Sequence, residues 1–243
     1  MPSEQLTIDD LVLLGRGAPD RIRDGRITIC AAGWSKTHGF VRIYPTRTSS
    51  PLRQWNQVAV PVERNPLDSR PESWKIQGSK SEWNTLDRKI EVVGELKQPD
   101  RRRVIRELVS PCVNSINESR VSLGIVRPVE MSGFLDERTD VDDGIQLTLT
   151  GPPQQKTKQG YRFQPRLRYR CSGCTAAESH DQQIIEWGCY EWFRKNPGLE
   201  AQVFENLRLE DPAYEKHLFV GNQANHRVSY LVITVLRWKR DTP

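Results

Sequence analysis

The sequence lacks the features that mark membrane and secreted proteins. No stretch approaches the ~20 consecutive apolar residues that span a bilayer. The N-terminal segment has one short apolar run preceded by Asp9 and Asp10, whereas a signal peptide needs a positive leader and a longer apolar core. The five cysteines are an odd number, and only Cys171 and Cys174 are close in sequence, which argues against a secreted disulfide framework. The sequence therefore predicts a cytoplasmic protein that does not enter a membrane.

Complete catalytic motifs are also missing. We find no convincing phosphate-cradling glycine loop, Ser-His-Asp order, H-E-x-x-H pair or D-x-x-x-E-x-K nuclease core. Four residues remain as candidates for catalysis, namely His180, Glu186, Asp68 and Glu72. The sequence leaves enzymatic activity open and favours a binding role.

The length and charge allow several classes of protein. A chain of 243 residues can form one large domain or two small ones without support from disulfides. The net charge of +5 and the pI near 9.0 are compatible with nucleic acid, although proteins that bind none often carry a similar excess. The distribution of the charge is therefore more informative than its sum.

The pattern of short apolar segments predicts an α+β protein with three parts. Residues 1–135 are mostly β and form a candidate small barrel, with a short basic helix at 101–109. The segment 136–160 is polar and rich in proline and glutamine, which is typical of a linker, with one alternating strand at 145–150. Residues 161–243 form an α/β part. The strands predicted outside the linker are 27–33, 39–45, 58–63, 89–94, 122–128, 161–169 and 228–236.

The third part begins with a strand whose two faces differ sharply. Side chains alternate across a strand, so the arginines at even positions share one face, and Tyr161, Phe163, Leu167 and Tyr169 share the other. These arginines are Arg162, Arg166, Arg168 and Arg170. Guanidinium groups pair with phosphates in bidentate fashion, which favours contact with DNA or RNA. The alternative is an exposed edge strand with basic residues that block aggregation, an interpretation that Pro165 supports.

A cysteine turn follows this strand and predicts a metal site. Cys171 and Cys174 form a C-x2-C turn and His180 follows, which gives three of the four ligands that a structural zinc site needs. His180 begins a predicted helix that extends to about residue 195 with Ser179 as its cap. Cys189 would lie roughly 13 Å further along that helix and is a poor fourth ligand. Other candidates for the fourth ligand are His217, His226, Cys30 and Asp181. Reduced structural cysteines beside a capping histidine are the alternative.

Further polar and aromatic candidates lie in the N-terminal part. In the strand 39–45, Arg42 shares a face with Tyr44. The segment from Asp68 to Trp74 contains two carboxylates and Arg70 in a turn-rich stretch, where functional residues tend to lie. Arg42 and Arg70 could contact phosphates, and Tyr44 and Trp74 could stack on bases. Equally, the 68–74 segment could be an internal salt-bridged loop that stabilises the N-terminal part. The basic runs 101–103 and 237–240 add candidate phosphate contacts.

Several blocks together resemble a prokaryotic domain family. They span most of the chain in the family's order, and their combination is more specific than any one of them. The blocks are 30–33, 40–45, 68–74, 122–128, 171–187 and 218–223. Members of this family often resemble accessory proteins of defence or mobile-element loci, so the resemblance implies a nucleic-acid context and no particular reaction.

The sequence as a whole favours a nucleic-acid-binding protein with a structural zinc knuckle. We expect it to act as an accessory subunit of a defence or mobile-element system. Its expected partners are DNA or RNA and other protein subunits. One alternative is a metal-dependent nuclease or nucleotide-processing enzyme. Another is a protein-binding subunit that does not contact nucleic acid.

Overall fold

A computed structural model describes residues 4–22, 24–141, 156–174 and 176–240. The predicted strand at 145–150 lies outside the described residues, as does most of the predicted linker. Strands dominate the fold, and within the described ranges no helix has the length and apolar composition of a membrane-spanning segment.

The N-terminal part contains a closed five-stranded barrel, which confirms the predicted barrel. Its elements, with the short strand β2, are β1 (Gln5–Arg16), β2 (Asp20–Arg21), β3 (Ile27–Ser35), β4 (Gly39–Thr46), β5 (Asn56–Arg64) and β6 (Ser73–Ile76). The strands follow one another around the barrel in the order β1, β3, β4, β6, β5, and β5 pairs again with β1 to close it. The pairing of β4 with β6 is parallel, and the other pairings are antiparallel.

The strand β1, which closes the barrel by pairing with both β3 and β5, is buried on both faces. Leu11 and Leu13 point into the barrel core, whereas Val12 and Leu14 belong to a second core outside it. Close pairing with β3 also requires glycine at position 33, where a Cβ would come within 2.1 Å of the carbonyl oxygen of Val12. One strand thus contributes to two cores at once.

The remaining elements form two further sheets and the helices around them. After a 3₁₀ helix (Lys80–Lys89), the chain forms β7 (Glu91–Glu95), α1 (Gln98–Glu107), β8 (Val109–Ser110), α2 (Val113–Glu118), β9 (Leu123–Val126) and β10 (Pro128–Glu137). It continues with β11 (Phe163–Cys171), β12 (His180–Gln183), α3 (Trp187–Lys195), α4 (Val203–Asn206), β13 (Tyr214–Gln223) and β14 (His226–Lys239). One sheet has the order β14, β13, β9, β8, and the other has the order β10, β11, β12. The predicted division at residue 135 falls inside β10.

Two local interpretations need correction. The helix expected from His180 begins only at Trp187, because residues 180–183 form β12 and pair with β11. The alternative that the arginine strand is an edge strand, which Pro165 supported, is wrong, because β11 is the central strand of its sheet. Pro61 also lies in a strand with partners on both sides, β5. Both prolines remain compatible with pairing because their carbonyl groups accept hydrogen bonds, from the amides of Ile184 and Gln77 respectively.

The four-stranded sheet covers the outer face of β3 and β4. Phe40 on β4 stacks on Phe219 of β13 with ring centroids 5.8 Å apart. Ala32 on β3 packs with Ile125 and Ile233 in the same core. The barrel and the C-terminal part therefore share a continuous apolar junction.

Candidate metal centre and nucleic-acid interface

A cluster of two cysteines and a histidine joins three separate elements. Cys174 lies in the turn after β11, and His180 is the first residue of β12. Cys112 comes from a distant part of the chain, where it is the N-cap of α2. The cluster thus closes the turn between β11 and β12 and ties that turn to α2.

The geometry of the cluster fits a metal ion, and these residues could hold one. The Sγ atoms of Cys112 and Cys174 are 3.4 Å apart, and the Nε2 atom of His180 lies 3.2 Å from the first and 3.4 Å from the second. Tetrahedral zinc with ordinary bond lengths would separate two sulfur ligands by roughly 3.8 Å and a sulfur from a nitrogen ligand by roughly 3.6 Å. The observed separations are slightly shorter, so small side-chain movements would admit the ion.

The protonation of the cluster also suits metal binding. Burial and the charge of Arg170 lower the pKa of His180, so its imidazole is neutral at neutral pH, the form that coordinates metals. Burial opposes ionisation of Cys174, but hydrogen bonds from the amide of Ala176 and the thiol of Cys112 outweigh it and lower the pKa of Cys174. Burial raises the pKa of Cys112.

Cys171, the third predicted ligand, is not in the group formed by Cys112, Cys174 and His180, but it lies beside that group. Its thiol is buried and interacts with the thiol of Cys112, and burial raises its pKa to about 12. The backbone amide of Val113 donates a hydrogen bond to the Cys171 sulfur. Cys112 was not among the predicted ligands, because it stands alone in the sequence, 59 residues before Cys171.

Two other candidates for the fourth ligand have different partners. His217 is buried and stacks on Trp238 with ring centroids 5.1 Å apart. Asp181 forms ion pairs with Arg166 and Arg168. Neither His217 nor Asp181 belongs to the group of ligand atoms around Cys112, nor do Cys30 and His226.

The predicted arginine face lies on the three-stranded sheet directly next to this cluster. Leu167 and Tyr169 of β11 are buried, whereas Arg168 is exposed, so the alternation along the strand is as predicted. The side chains of Arg162 and Arg168 are 66% and 61% exposed. We use the term arginine sheet for the exposed face of β10, β11 and β12 that carries Arg162, Arg166, Arg168 and Arg170.

Acidic and aromatic groups accompany these arginines. Arg162 pairs with Glu137 at 2.5 Å, and Arg166 and Arg168 share the carboxylate of Asp181 at 2.7 and 3.3 Å. Arg170 donates to the carbonyl of Ala176 at 2.8 Å. Asp136 pairs with Gln164 across the strands and projects from the same face, so four cations meet three carboxylates and the arginine sheet keeps a small positive excess.

An aromatic ring lies in the middle of the arginine sheet. Phe134 of β10 is paired with Arg166 across the strands, so the two side chains project from the same face. The guanidinium carbons of Arg166 and Arg168 are 6.0 and 5.3 Å from the centroid of the Phe134 ring. The sequence search missed Phe134, and its position opposite the arginines becomes visible only with the strand register.

The N-terminal candidates lie at the junction between the barrel and the C-terminal part. Arg42 and Arg70 are both buried, and they donate to the backbone carbonyls of Ser122 and Asn222 at 3.2 and 2.6 Å. Trp74 is buried as well. Tyr44 is half-buried. Arg42, Arg70 and Trp74 thus offer little surface to a nucleic acid.

The four candidate catalytic residues are held by different partners. Asp68 forms a buried ion pair with Arg70. Glu72 accepts hydrogen bonds from the amide and hydroxyl of Ser122, both at 2.8 Å. Glu186 accepts from the hydroxyl of Thr234 at 2.7 Å and from a backbone amide of β14. His180 lies in the cysteine cluster, so the structure does not bring these four side chains to one set of contacts.

We number the five barrel strands in chain order, so that β1, β3, β4, β5 and β6 become strands one to five. Around the closed barrel their order is 1-2-3-5-4, and the third and fifth strands pair in parallel. This is the arrangement of the OB-fold, a five-stranded Greek-key barrel. The fold and site thus define a protein with an OB-type barrel, a covered barrel face and a C-terminal β-rich part with a candidate metal centre.

The chain belongs to the family described as a domain of unknown function, DUF8757, whose model matches residues 113–242. Residues 8–111 match a second domain of unknown function, DUF8758. The two matches meet at Cys112. Curated proteins give no significant match.

Two solved structures show a weak overall similarity to the chain. One is a murine DNA-binding protein bound to double-stranded DNA, with 9% identity, a TM-score of 0.33, and coverage of 99% of this chain and 98% of that chain. The other is a replication protein A heterotrimer bound to single-stranded DNA, with 10% identity and a TM-score of 0.31. The second match covers 91% of this chain and 44% of the other. Such low scores do not establish a shared function.

Proposed function

We propose that the protein binds nucleic acid through the arginine sheet and that a structural zinc ion holds this sheet in place. The observation that carries the proposal is the placement of Arg166 and Arg168 next to Phe134, on a face adjoining the cysteine cluster. Guanidinium groups bind phosphates in bidentate fashion, and an aromatic ring offers a face on which a base can stack. The arrangement thus combines the two kinds of contact that single-stranded nucleic acids require.

The ion pairs already present do not prevent phosphate binding. Exposed ion pairs contribute about 0–1 kcal/mol each, because solvent screens them and ordering the side chains costs entropy. Arg166 and Arg168 also share one carboxylate, so at most one of the two positive charges is neutralised locally. A phosphate group can therefore approach Arg168 at little cost.

Zinc at the cluster would stabilise the turn that supports this surface. Cys112, Cys171, Cys174 and His180 would supply three thiolates and one imidazole, a common ligand set of structural zinc sites. The contact between the thiols of Cys171 and Cys112 supports Cys171 as the fourth ligand. The ion would bridge β11, β12 and α2 and so limit the movement of the strands that carry Arg166, Arg168 and Asp181.

The OB-type barrel supports the proposal by analogy, but it does not supply the binding surface. OB-folds commonly bind oligonucleotides on the face of their second and third strands. In this protein the corresponding strands are β3 and β4, and the C-terminal sheet covers them. The proposed interface therefore lies on the C-terminal part.

The role as an accessory subunit of a defence or mobile-element system, in the cytoplasm of a prokaryote, rests on the sequence resemblance alone. Affinity purification of the tagged protein from its own cells, with and without nuclease treatment, tests this part of the proposal. We expect nucleic acid and proteins encoded by neighbouring genes to copurify. Recovery of the protein free of both would contradict the accessory role.

Fluorescence anisotropy with labelled single-stranded DNA, duplex DNA and RNA across a salt series tests the binding function. Loss of two phosphate contacts in the double variant Arg166→Ala, Arg168→Ala should reduce the slope of log K against log salt by roughly 1.4–1.8. Arg194→Ala is a matched control, because Arg194 is 50% exposed and paired with Glu191 at 2.8 Å on α3. Equal binding by wild type, double variant and control would refute the arginine sheet as the interface. If the wild type binds no nucleic acid at all, a protein-binding role would replace the proposal.

A further inference from the structure

We infer that a cleft between β10 and β13 binds a phosphate group of the nucleic-acid chain and extends the interface from the arginine sheet towards α1. The inference rests on the proposed function. The residues that line the cleft include Arg127, Lys216 and Arg240, which come from three segments far apart in sequence. We call this the phosphate cleft.

The phosphate cleft has room for an anion. Its volume is about 220 Å³, whereas a single water molecule needs about 10–15 Å³ on the same measure. Its wall includes the irregular part of β10, where the pairing register with β11 shifts between Val129 and Ser132. Glu130 at this bulge has a φ of 49°, which is unusual for a residue other than glycine. The strand thus bends at the point where it forms the cleft.

Lys216 and Arg240 are held in place by hydrogen bonds to backbone carbonyl groups. Lys216 Nζ donates to the carbonyl of Asp211 at 2.5 Å, and Arg240 Nε donates to the carbonyl of Pro212 at 3.1 Å. Carbonyl acceptors fix both side chains without neutralising them, and each cation has further donors. Within the described chain, the guanidinium of Arg127 forms no hydrogen bond or ion pair. An anion in the cleft would therefore find donors from all three.

Two carboxylates also line the cleft. Glu215 is already engaged outside the group of three cations, since it accepts from Arg106 at 2.5 Å and from Trp238 Nε1 at 3.2 Å. Glu130 is the other carboxylate. Burial lowers the pKa of Lys216, the charge of Asp211 opposes this shift, and the charge of Arg240 adds to it. The cations of the cleft outnumber the carboxylates that remain to balance them.

The cleft connects two basic surfaces that are remote in sequence. On one side, the carbonyl of Arg127 accepts a hydrogen bond from Ser172, immediately after the arginine strand β11. On the other side, Arg240 follows Lys239, whose carbonyl accepts from Arg102 of α1 at 2.9 Å. A chain of phosphates that leaves the arginine sheet would therefore meet the cleft before it reaches the basic face of α1.

The test compares the single variants Arg127→Ala, Lys216→Ala and Arg240→Ala with wild type in the same anisotropy assay. Each should weaken the binding of a labelled 20-nucleotide single strand roughly threefold or more at ~0.1 M salt and lower the salt slope by about 0.7–0.9. Glu130→Gln should strengthen binding, because it removes the opposing charge. A partly unfolded variant would not bind more tightly, so this gain is diagnostic. Lys216→Arg should retain binding if only charge is required.

The results separate this inference from the proposed function. The phosphate cleft is refuted if the three cleft variants and Glu130→Gln bind with the affinity and salt slope of the wild type while the double variant of Arg166 and Arg168 is impaired. The arginine sheet would then remain supported as the interface. If the cleft variants and the double variant are all impaired, both are supported. Absence of salt-dependent binding by the wild-type protein would overturn both.

Discussion

Replacing Arg70 with methionine should destabilise the protein strongly and leave the nucleic-acid affinity of the folded protein unchanged. The side chains of Arg70 and Asp68 are only 7% and 6% exposed, and their closest contact is 2.5 Å. Arg70 Nη1 also donates to the carbonyl of Asn222 in the C-terminal part. The substitution therefore removes the partner of a buried carboxylate and a contact across the junction.

The magnitude follows from these two losses. Burial raises the pKa of Asp68, but the Arg70 guanidinium, with hydrogen bonds from Ser73 and the Arg70 amide, outweighs it and lowers the pKa from 3.8 to about 2. This shift corresponds to about 2 kcal/mol of stability at neutral pH. The unpaired Asn222 carbonyl adds about 1–3 kcal/mol. The total of about 3–5 kcal/mol agrees with the usual cost of breaking a buried ion pair.

A second ion pair in the barrel provides a matched control. Arg26 and Asp24 have the same spacing and the same pair of contacts, Nε with Oδ1 and Nη2 with Oδ2. Their side chains are 25% and 45% exposed. Arg26→Met should therefore cost at most about 1 kcal/mol. Urea unfolding followed by tryptophan fluorescence measures both variants by linear extrapolation. Equal destabilisation of the two variants would refute the reasoning from burial.

The Asp68 pair also predicts an acid dependence. Because the pKa of Asp68 is lower in the folded than in the unfolded protein, its contribution is fully present above pH 4 and is lost as the pH falls towards 2. The difference in unfolding free energy between wild type and Asp68→Asn should therefore shrink over this range. A difference that stays constant from pH 6 to pH 3 would contradict the assignment.

Three further outcomes test the metal centre and the barrel. Protein purified without added zinc should contain about one equivalent of zinc by mass spectrometry of metals. The Cys112→Ser variant should lose this zinc, whereas Cys30→Ser should keep it. Equal zinc content in both variants would show that Cys112 is not a ligand. Gly33→Ala should destabilise the barrel by several kcal/mol because its Cβ would meet the Val12 carbonyl at 2.1 Å, whereas at Gly94 the nearest atom is 3.8 Å away and alanine should be tolerated in thermal melts. Glu186→Gln should lower the free energy of unfolding by about 1–3 kcal/mol, since it weakens the hydrogen bonds to β14. If the variant instead keeps its stability and loses a nuclease activity that the wild type has, the enzymatic alternative is favoured.

Local sequence patterns identified seven of the fourteen strands in the described residues, and β1, which closes the barrel, is among those they missed. Strands at 27–33 and 39–45 were recognised from their apolar content and the polar turn between them, and they are β3 and β4. In contrast, β1 contains Leu11, Val12, Leu13 and Leu14, all buried, because its two faces belong to different cores. A strand buried on both faces does not alternate, so it resembles a short apolar run rather than a strand.

The metal centre shows the same limit in another form. Cys174 and His180 were predicted as ligands from the cysteine turn, and the structure brings them together. His180 was predicted to begin a helix. Instead, the polar residues His180–Gln183 form a strand, because β11 provides a pairing partner. Cys112 could not be found from spacing, since only the tertiary fold brings α2 to this turn. An isolated cysteine after a proline, left over once a pair is assigned, is the one available signal.

The junction between the barrel and the C-terminal sheet gives a structural explanation for three of the sequence blocks that carry the family resemblance. The blocks 68–74, 122–128 and 218–223 are far apart in sequence, yet Arg70, Glu72, Ser122 and Asn222 bind one another where the barrel meets the C-terminal sheet. Packing and buried hydrogen bonds therefore explain these three blocks without a ligand. Such a junction also requires the barrel face of β3 and β4 to stay covered, so any nucleic-acid contact must come from surfaces outside it. The arginine sheet lies outside the junction, because Arg162 and Arg168 are exposed although the opposite face of β11 is buried, and Phe134 of β10 lies next to Arg166 and Arg168 on the same face.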